Sequence, residues 1–279
     1  MKTVAIVGTG LIGASFGLAL RKAGFDGAIL GVSSEPAIQA AVAAGAIDRG
    51  APLAEGVAQA DLVFLSQTIG RILDTLHHLD PLVHPGALVT DAGSTKCEIV
   101  DTARWHVKRC QFLGGHPMAG KEVRGASAAD ADLFRDRVWA LTPDEPSDLE
   151  SPAAREFRGW LERIGARVVI LDADEHDRAV ALTSHLPQLV STALAATLAQ
   201  RLDAEKLAVA GPGLVDSTRL ALSPYDIWRD ILATNSDHIE SALAAFAQEL
   251  EHMRENLHTR QLQVEFDRGA ALAAALRSR

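Results

Sequence analysis

Val4-Ala5-Ile6-Val7-Gly8-Thr9-Gly10-Leu11-Ile12-Gly13 decides the fold of this chain. Four uninterrupted apolar residues read as a strand buried on both faces, and the glycine run leads straight into a helical pattern over 11–23. Gly8 permits the tight turn, Gly10 lets backbone approach a pyrophosphate, and Gly13 lets the helix pack closely on the strand. The helix N-terminus adds N–H donors and positive potential. A dinucleotide is therefore expected on Gly8, Gly10, Leu11, Ile12 and Gly13, in preference to a merely structural turn.

Outward from this motif, short apolar runs at 28–32, 61–65, 87–90, 112–113, 138–141 and 168–171 read as strands. Helical patterns at 36–44 and 69–79 separate the first of them. Such alternation predicts a parallel sheet wrapped by helices. The segment 143–152 is acidic and proline-bearing, and reads as a surface loop. After Asp172 the β-branched runs vanish, and helices are expected at 175–182, 189–201, 224–234, 236–256 and 259–276. The stretch 189–199 is apolar or small on every face, so it needs cover that one small domain does not supply. The fold class is thus an α/β Rossmann-type dinucleotide-binding domain (1–172) followed by an all-α helical dimerisation domain (173–279), with a homodimer expected.

The 279 residues are 48% hydrophobic and 23% charged, which fits one or two domains with a real core and excludes a disordered or fibrous chain. Lys plus Arg number 27 against 36 Asp plus Glu, a formal charge of −9. That balance argues against general nucleic-acid or anionic-membrane binding, yet a few local arginines still suffice to hold a small anion. Cys97 and Cys110 form no CxxC pair, so neither a disulfide framework nor a structural zinc is expected. The start of the chain lacks a signal-peptide pattern, and the uncharged stretch between Arg178 and Arg201 contains His185, Pro187 and Gln188. It reads as a buried helix rather than a membrane span, and the protein as cytoplasmic. His77, His78, His84, His106, His238, His252 and His258 show no metal-ligand spacing, and no metal is expected.

An acid at the end of the second strand would bind the ribose of NAD, but Ser33 stands there, followed by Ser34 and Glu35. The missing acid leans to NADP, the missing basic residue leaves NAD open, and Glu35 remains within reach of a ribose. Ser66, just past the strand at 61–65, is placed beside the cofactor as well. Two further segments suggest chemistry. Ser94 in Asp91-Ala92-Gly93-Ser94-Thr95-Lys96 lies at a helix start near the nicotinamide end, as a catalytic hydroxyl or as an ordinary N-cap. His116 in Gly114-Gly115-His116-Pro117-Met118-Ala119-Gly120 is expected on a stiff loop after a strand, where an imidazole titrating near neutrality serves as a base.

Together with Ser184-His185-Leu186-Pro187, Asp216-Ser217-Thr218-Arg219 and Trp228-Arg229-Asp230, these motifs occur in an order that resembles the prephenate/arogenate dehydrogenase family of tyrosine biosynthesis. The resemblance spans nearly the whole chain. It implies NAD(P)-dependent oxidative decarboxylation of a cyclohexadienyl substrate, with His116 taking the proton of the ring hydroxyl and Ser94 bonding His116 or the same hydroxyl to orient the base. It implies also that Arg219 grips a substrate carboxylate and that Ser184 lines the pocket. Asp177 and Asp216 are then structural polar residues, Trp228 a wall, His185 a hydrogen-bonded core residue, and Lys96 and Arg229 ion-pair partners. Two departures stand out. Gln188 replaces a histidine common in prephenate-preferring relatives, which raises the arogenate reading, and Lys121 and Glu122 follow Gly120. A cation there favours a keto acid, a carboxylate an ammonium. Prephenate is the family default, and arogenate or dual use the alternative. Another two-domain hydroxy-acid dehydrogenase or a non-catalytic nucleotide sensor fits the motifs less well. The chain is expected to carry no appended regulatory domain, so any tyrosine feedback would act at the active site.

Overall fold

A computed structural model describes residues 1–278. The first strand, β1 (Thr3–Val7), alternates its side chains between two apolar clusters. Val4 and Ile6 join one, Ala5 and Val7 the other, and all four are excluded from solvent. This two-sided burial explains why the strand reads as a continuous apolar run. The chain continues through α1 (Leu11–Lys22), β2 (Ala28–Val32), α2 (Glu35–Ala43), a two-residue β3 (Arg49–Gly50), α3 (Leu53–Ala58), β4 (Leu62–Leu65), α4 (Ile69–Leu79), β5 (Leu88–Asp91), α5 (Cys97–His106) and β6 (Gln111–Pro117). In α4, Ile69, Ile72, Leu76 and Leu79 are buried at three- and four-residue spacing, the stripe that docks the helix on the sheet. Fully burying one such side chain contributes roughly 1.5–3 kcal/mol.

The strands form one eight-stranded sheet in the order β3-β2-β1-β4-β5-β6-β7-β8, with β7 (Val138–Thr142) and β8 (Arg167–Ile170) completing it. β7 pairs antiparallel with β6, which departs from the all-parallel expectation. The reason lies in the connection: residues 118–137 contain only a 3-10 turn at Ala126–Ala128, and a parallel return needs a covering helix. β8 returns parallel to β7 across α6 (Pro152–Arg163), whose N-terminus is capped by the Ser151 hydroxyl. The expected surface loop at 143–152 holds a 3-10 turn, Pro146–Glu150, that buries Leu149. Phe16, Phe64 and Trp139 centre the larger cluster, Phe16 and Phe64 with ring centroids 4.5 Å apart.

Beyond β8 the chain is helical: α7 (Ala173–Val180), a π turn (Ala181–His185), α8 (Leu186–Ala199), α9 (Ala204–Leu207), α10 (Pro212–Thr218), a 3-10 turn (Arg219–Leu222), α11 (Tyr225–Thr234), α12 (Ser236–Asn256) and α13 (Gln263–Arg277). The expectation that the uncharged helix lies buried does not hold within one chain. Only Gln188 and Ser191 of α8 are buried, and α13 buries nothing. No helix among the described residues is long and apolar enough to cross a membrane.

The helical half docks on the sheet half through α11. The Asp230 carboxylate accepts the Gly70 N–H at the start of α4 (3.1 Å), and the Thr234 and Thr95 hydroxyls bond at 2.7 Å. Thr68, the N-cap of α4, supplies no side-chain bond, so a carboxylate from the other half stands in for it. Ile231 closes the contact inside the smaller apolar cluster.

Candidate active site

The sheet changes winding direction between β1 and β4, and the crevice beyond the carboxyl ends of these strands is where such sheets bind ligands. Gly8 has φ +100°, and a Cβ on it would meet the Ser66 carbonyl at 2.7 Å. A Cβ on Gly13 would meet the Gly8 carbonyl at 2.1 Å, whereas one on Gly10 would meet nothing within 4 Å. Two glycines thus serve packing, and the third leaves open space above a helix whose N-terminus has no side-chain cap. That space with unpartnered N–H groups fits a pyrophosphate. The Ser66 hydroxyl donates to the Gly8 carbonyl (2.7 Å), so it steadies the loop. Ile12, Ser66 and Ser94 line one cavity of about 260 Å³ together with Gln67, Gly93 and Asp230. Ser33 and Ser34 are exposed past β2, and Glu35 accepts a bond from Gln39 (3.1 Å).

His116 stands within β6, opposite Ala140 of β7, and not on a loop. The preceding glycines are required by contact: a Cβ on Gly114 would meet the Thr142 hydroxyl at 2.2 Å, and one on Gly115 the Asp91 carbonyl at 2.8 Å. The partner of His116 is a residue the sequence reading passed over. His116 Nδ1 lies 2.9 Å from His176 Nε2, and His176 Nδ1 lies 2.7 Å from Asp177 Oδ1. A carboxylate only accepts, so His176 carries its proton on Nδ1 and accepts on Nε2. His116 must then donate from Nδ1, which leaves its Nε2 as the unprotonated nitrogen. Asp177 is itself held by the N–H groups of Lys96 (2.7 Å) and Cys97 (2.9 Å). Its carboxyl is kept below the usual range despite burial, because His176 and these two N–H groups bond the charged form. The only sequence signal for this relay is a His-Asp pair that begins at the fourth residue of α7, unremarkable without the fold. Ser94 is part-buried near the turn into α5 and does not bond His116, which leaves the ring hydroxyl of a substrate as the other partner expected of it.

Burial, the neighbouring imidazole of His176, the Lys96 ammonium and His185 all hold His116 well below the ordinary histidine range, so it is neutral at pH 7. His185 accepts from Asn235 Nδ2 (3.2 Å), packs edge-on against Trp228, and is pushed down to about 4 by burial, against the opposing charge of Asp177. Unfolded, a histidine binds its proton near pH 6.5, so the unfolded chain gains a proton that folded His185 refuses. Stability is therefore present in full above pH 6.5 and falls as the pH drops toward 4, by roughly 3 kcal/mol from this residue. Urea midpoints at pH 7 and pH 4.5 read the loss. A His185→Gln variant with the same acid sensitivity would show that the proton goes elsewhere.

A second cavity, about 540 Å³, opens between the halves and is lined by Lys121, Glu122, Arg124, Gln188, Arg219 and Trp228, among others. Arg219 bonds Glu122 (3.2 Å), Lys121 bonds Asp130 (2.9 Å) and Arg124 bonds Asp226. Gln188 donates from Nε2 to the Leu220 carbonyl (2.8 Å), tying α8 to the turn that bears Arg219. Trp228 forms a wall, as expected, and its indole donates to Ser223. Ser184 lies in the π turn, away from that lining, and Asp216 is exposed on α10. Lys96 pairs with Asp91, and Arg229 with Asp230. Among the described residues no group of three or more His, Cys, Asp or Glu is arranged to hold a metal.

Two family models match end to end: the nucleotide-binding domain of prephenate dehydrogenase over residues 16–170 and its dimerization domain over 172–269. A prephenate dehydrogenase of Bacillus subtilis is 35% identical over 90% of this chain and 69% of its own length. The crystal structure of a prephenate dehydrogenase from A. aeolicus with hydroxyphenyl propionate and NAD+ superposes with a TM-score of 0.88, at 30% identity, over 99% of this chain and 98% of that one. A Synechocystis arogenate dehydrogenase gives a TM-score of 0.82 at 31% identity, covering 99% of each chain. With both halves matched and the glycine loop, His116 and the interdomain cavity in place, the chain belongs to the prephenate dehydrogenase family of NAD(P)-dependent oxidoreductases.

Proposed function

We propose that the protein oxidatively decarboxylates prephenate to 4-hydroxyphenylpyruvate, with His116 as the base. The observation that carries this reading is the Asp177–His176–His116 chain, which leaves the His116 Nε2 lone pair free on a neutral imidazole. His116 Nε2 takes the proton of the ring hydroxyl as the hydride leaves the same carbon. The imidazolium that forms is stabilised through His176 by the Asp177 carboxylate. Loss of the ring carboxylate as CO2 then returns an electron pair to the ring, which becomes aromatic, and the phenol oxygen recovers the proton. Arg219 suits a substrate carboxylate through its paired N–H donors, and would exchange Glu122 for it. Ser94 faces the cavity at the nicotinamide side, where it would bond the substrate hydroxyl.

The glycine loop, with Ile12 and Ser66, would hold the dinucleotide, which when bound supplies the hydride acceptor. Exposed Ser33 and Ser34 carry no charge to repel a 2′-phosphate, which supports NADP, while Glu35 lies close enough in sequence to bond a ribose and supports NAD. The lean is to NADP. The boundary between halves is proposed at 172/173, and a homodimer through the helical half would cover the half-buried leucines of α8 and the exposed Val264, Phe266, Leu272 and Leu276 of α13. Arogenate is the second reading, favoured by Gln188 in the cavity wall and by the Glu122 carboxylate, which would attract an ammonium. Initial rates with prephenate or arogenate, each with NAD or NADP, decide among these. Prephenate is expected to exceed arogenate by at least about tenfold in kcat/KM, which is about 1.4 kcal/mol of differential transition-state binding. The reverse ratio would overturn the substrate assignment, and four blank cells the reaction itself.

A further inference from the structure

Lys96 is fully buried, and an ammonium there costs free energy unless it is paired and hydrogen-bonded. Its Nζ bonds the buried Asp91 carboxylate and the Gly115 carbonyl (2.9 Å). Asp91 Oδ1 in turn accepts the Gly115 N–H (3.0 Å), and Oδ2 the Gly93 N–H (2.7 Å). The ladder between β5 and β6 ends at the pair Thr90 and Leu113, two residues short of Gly115. On the β5 side, from there onward, an ion pair replaces the ladder and clasps both polar groups of the residue before His116, while β7 continues to pair on the other side. The backbone N–H of the same lysine reaches the other side of the base, where it bonds Asp177 Oδ1, the oxygen that also takes the His176 proton.

We propose that Lys96 is a positioning residue for the base: its ammonium fixes the strand that carries His116, while its backbone N–H fixes the carboxylate that anchors the His176 relay. The proposal rests on His116 being the base. Its second consequence is electrostatic. The groups facing His116 are His176 on α7, His185 in the π turn, and Lys96, with Asp91 and Asp177 as the anions behind them. The lysine charge favours the neutral imidazole, so the enzyme keeps its active form to lower pH than a base without that neighbour.

The test is the pH dependence of kcat/KM in Asp91→Asn/Lys96→Met, which removes both charges and strands neither. The acid limb is expected to move up by about half a pH unit or more, with kcat down about tenfold. Lys96→Arg keeps the charge on a bulkier head, so its limb should stay at the wild-type position while kcat falls. Should the double variant not fold, Asp91→Asn alone leaves the lysine charge uncompensated and must move the limb to lower pH. A limb that stays put in the neutralised protein, with kcat within about twofold of wild type, overturns the proposal. His116→Asn in the same assay separates the two layers. Activity and limb surviving in that protein would remove His116 as the base, whatever Lys96 does.

Discussion

An asparagine at position 116 is expected to lower kcat/KM by about a thousandfold, within the hundred- to ten-thousandfold contributed by a positioned general base. The asparagine amide still donates to His176 Nε2, as His116 Nδ1 does across 2.9 Å, so the relay keeps its partner. What disappears is a lone pair able to take a proton. The backbone of residue 116 stays paired with Ala140 on β7, and its neighbours Gly114 and Gly115 remain packed on Thr142 and Asp91, so the strand should hold its place. The loss is therefore expected in kcat with KM changed little, since proton transfer is made only in the transition state. Steady-state rates beside a thermal melt measure it. A folded variant within about tenfold of wild type would mean that the ring hydroxyl loses its proton to another group.

Asp177→Asn is expected to cost on the order of a hundredfold or more in kcat, although Asp177 touches neither substrate nor cofactor. The amide keeps its oxygen at the Oδ1 position, where the His176 Nδ1–H and the Lys96 N–H are both accepted, and turns its NH2 toward the Cys97 N–H, donor against donor. The tautomers of His176 and His116 are therefore kept. What disappears is the negative charge that stabilises the His116 imidazolium through His176. The lost Cys97 bond takes some stability with it. Nitrogen chemical shifts of the His116 ring separate charge from tautomer. They should report the wild-type protonation pattern in a protein that still melts cooperatively and turns over slowly, and full activity would remove the relay from the mechanism.

The sheet half was legible in the residues because its signals are local. A fully apolar strand, a glycine run and an amphipathic stripe each declare themselves within a dozen positions, as 4–7, 8–13 and 69–79 do. The two-residue strand at Arg49–Gly50 and the four-residue helix at Ala204–Leu207 are too short to carry a period. The reversal of β7 depends on what its connection lacks, which a pattern search does not register. Site residues divided the same way. His116, Arg219 and Gln188 sit in distinctive motifs, whereas His176 is joined to His116 across 60 positions by folding alone. The misplacement of His116 on a loop had a physical cause. Glycine and proline punctuate loops in general, but here they answer to the close approach of Thr142, Asp91 and Trp139 around a strand.

Gln188 is uncharged in acid and in base, and its amide is already spent on the carbonyl of Leu220 beneath the Arg219 turn. A histidine in that wall would tighten or loosen its hold as it titrated. With glutamine the tether that holds the Arg219 turn is the same in acid and in base, so this part of the cavity frame does not loosen as the base takes up its proton.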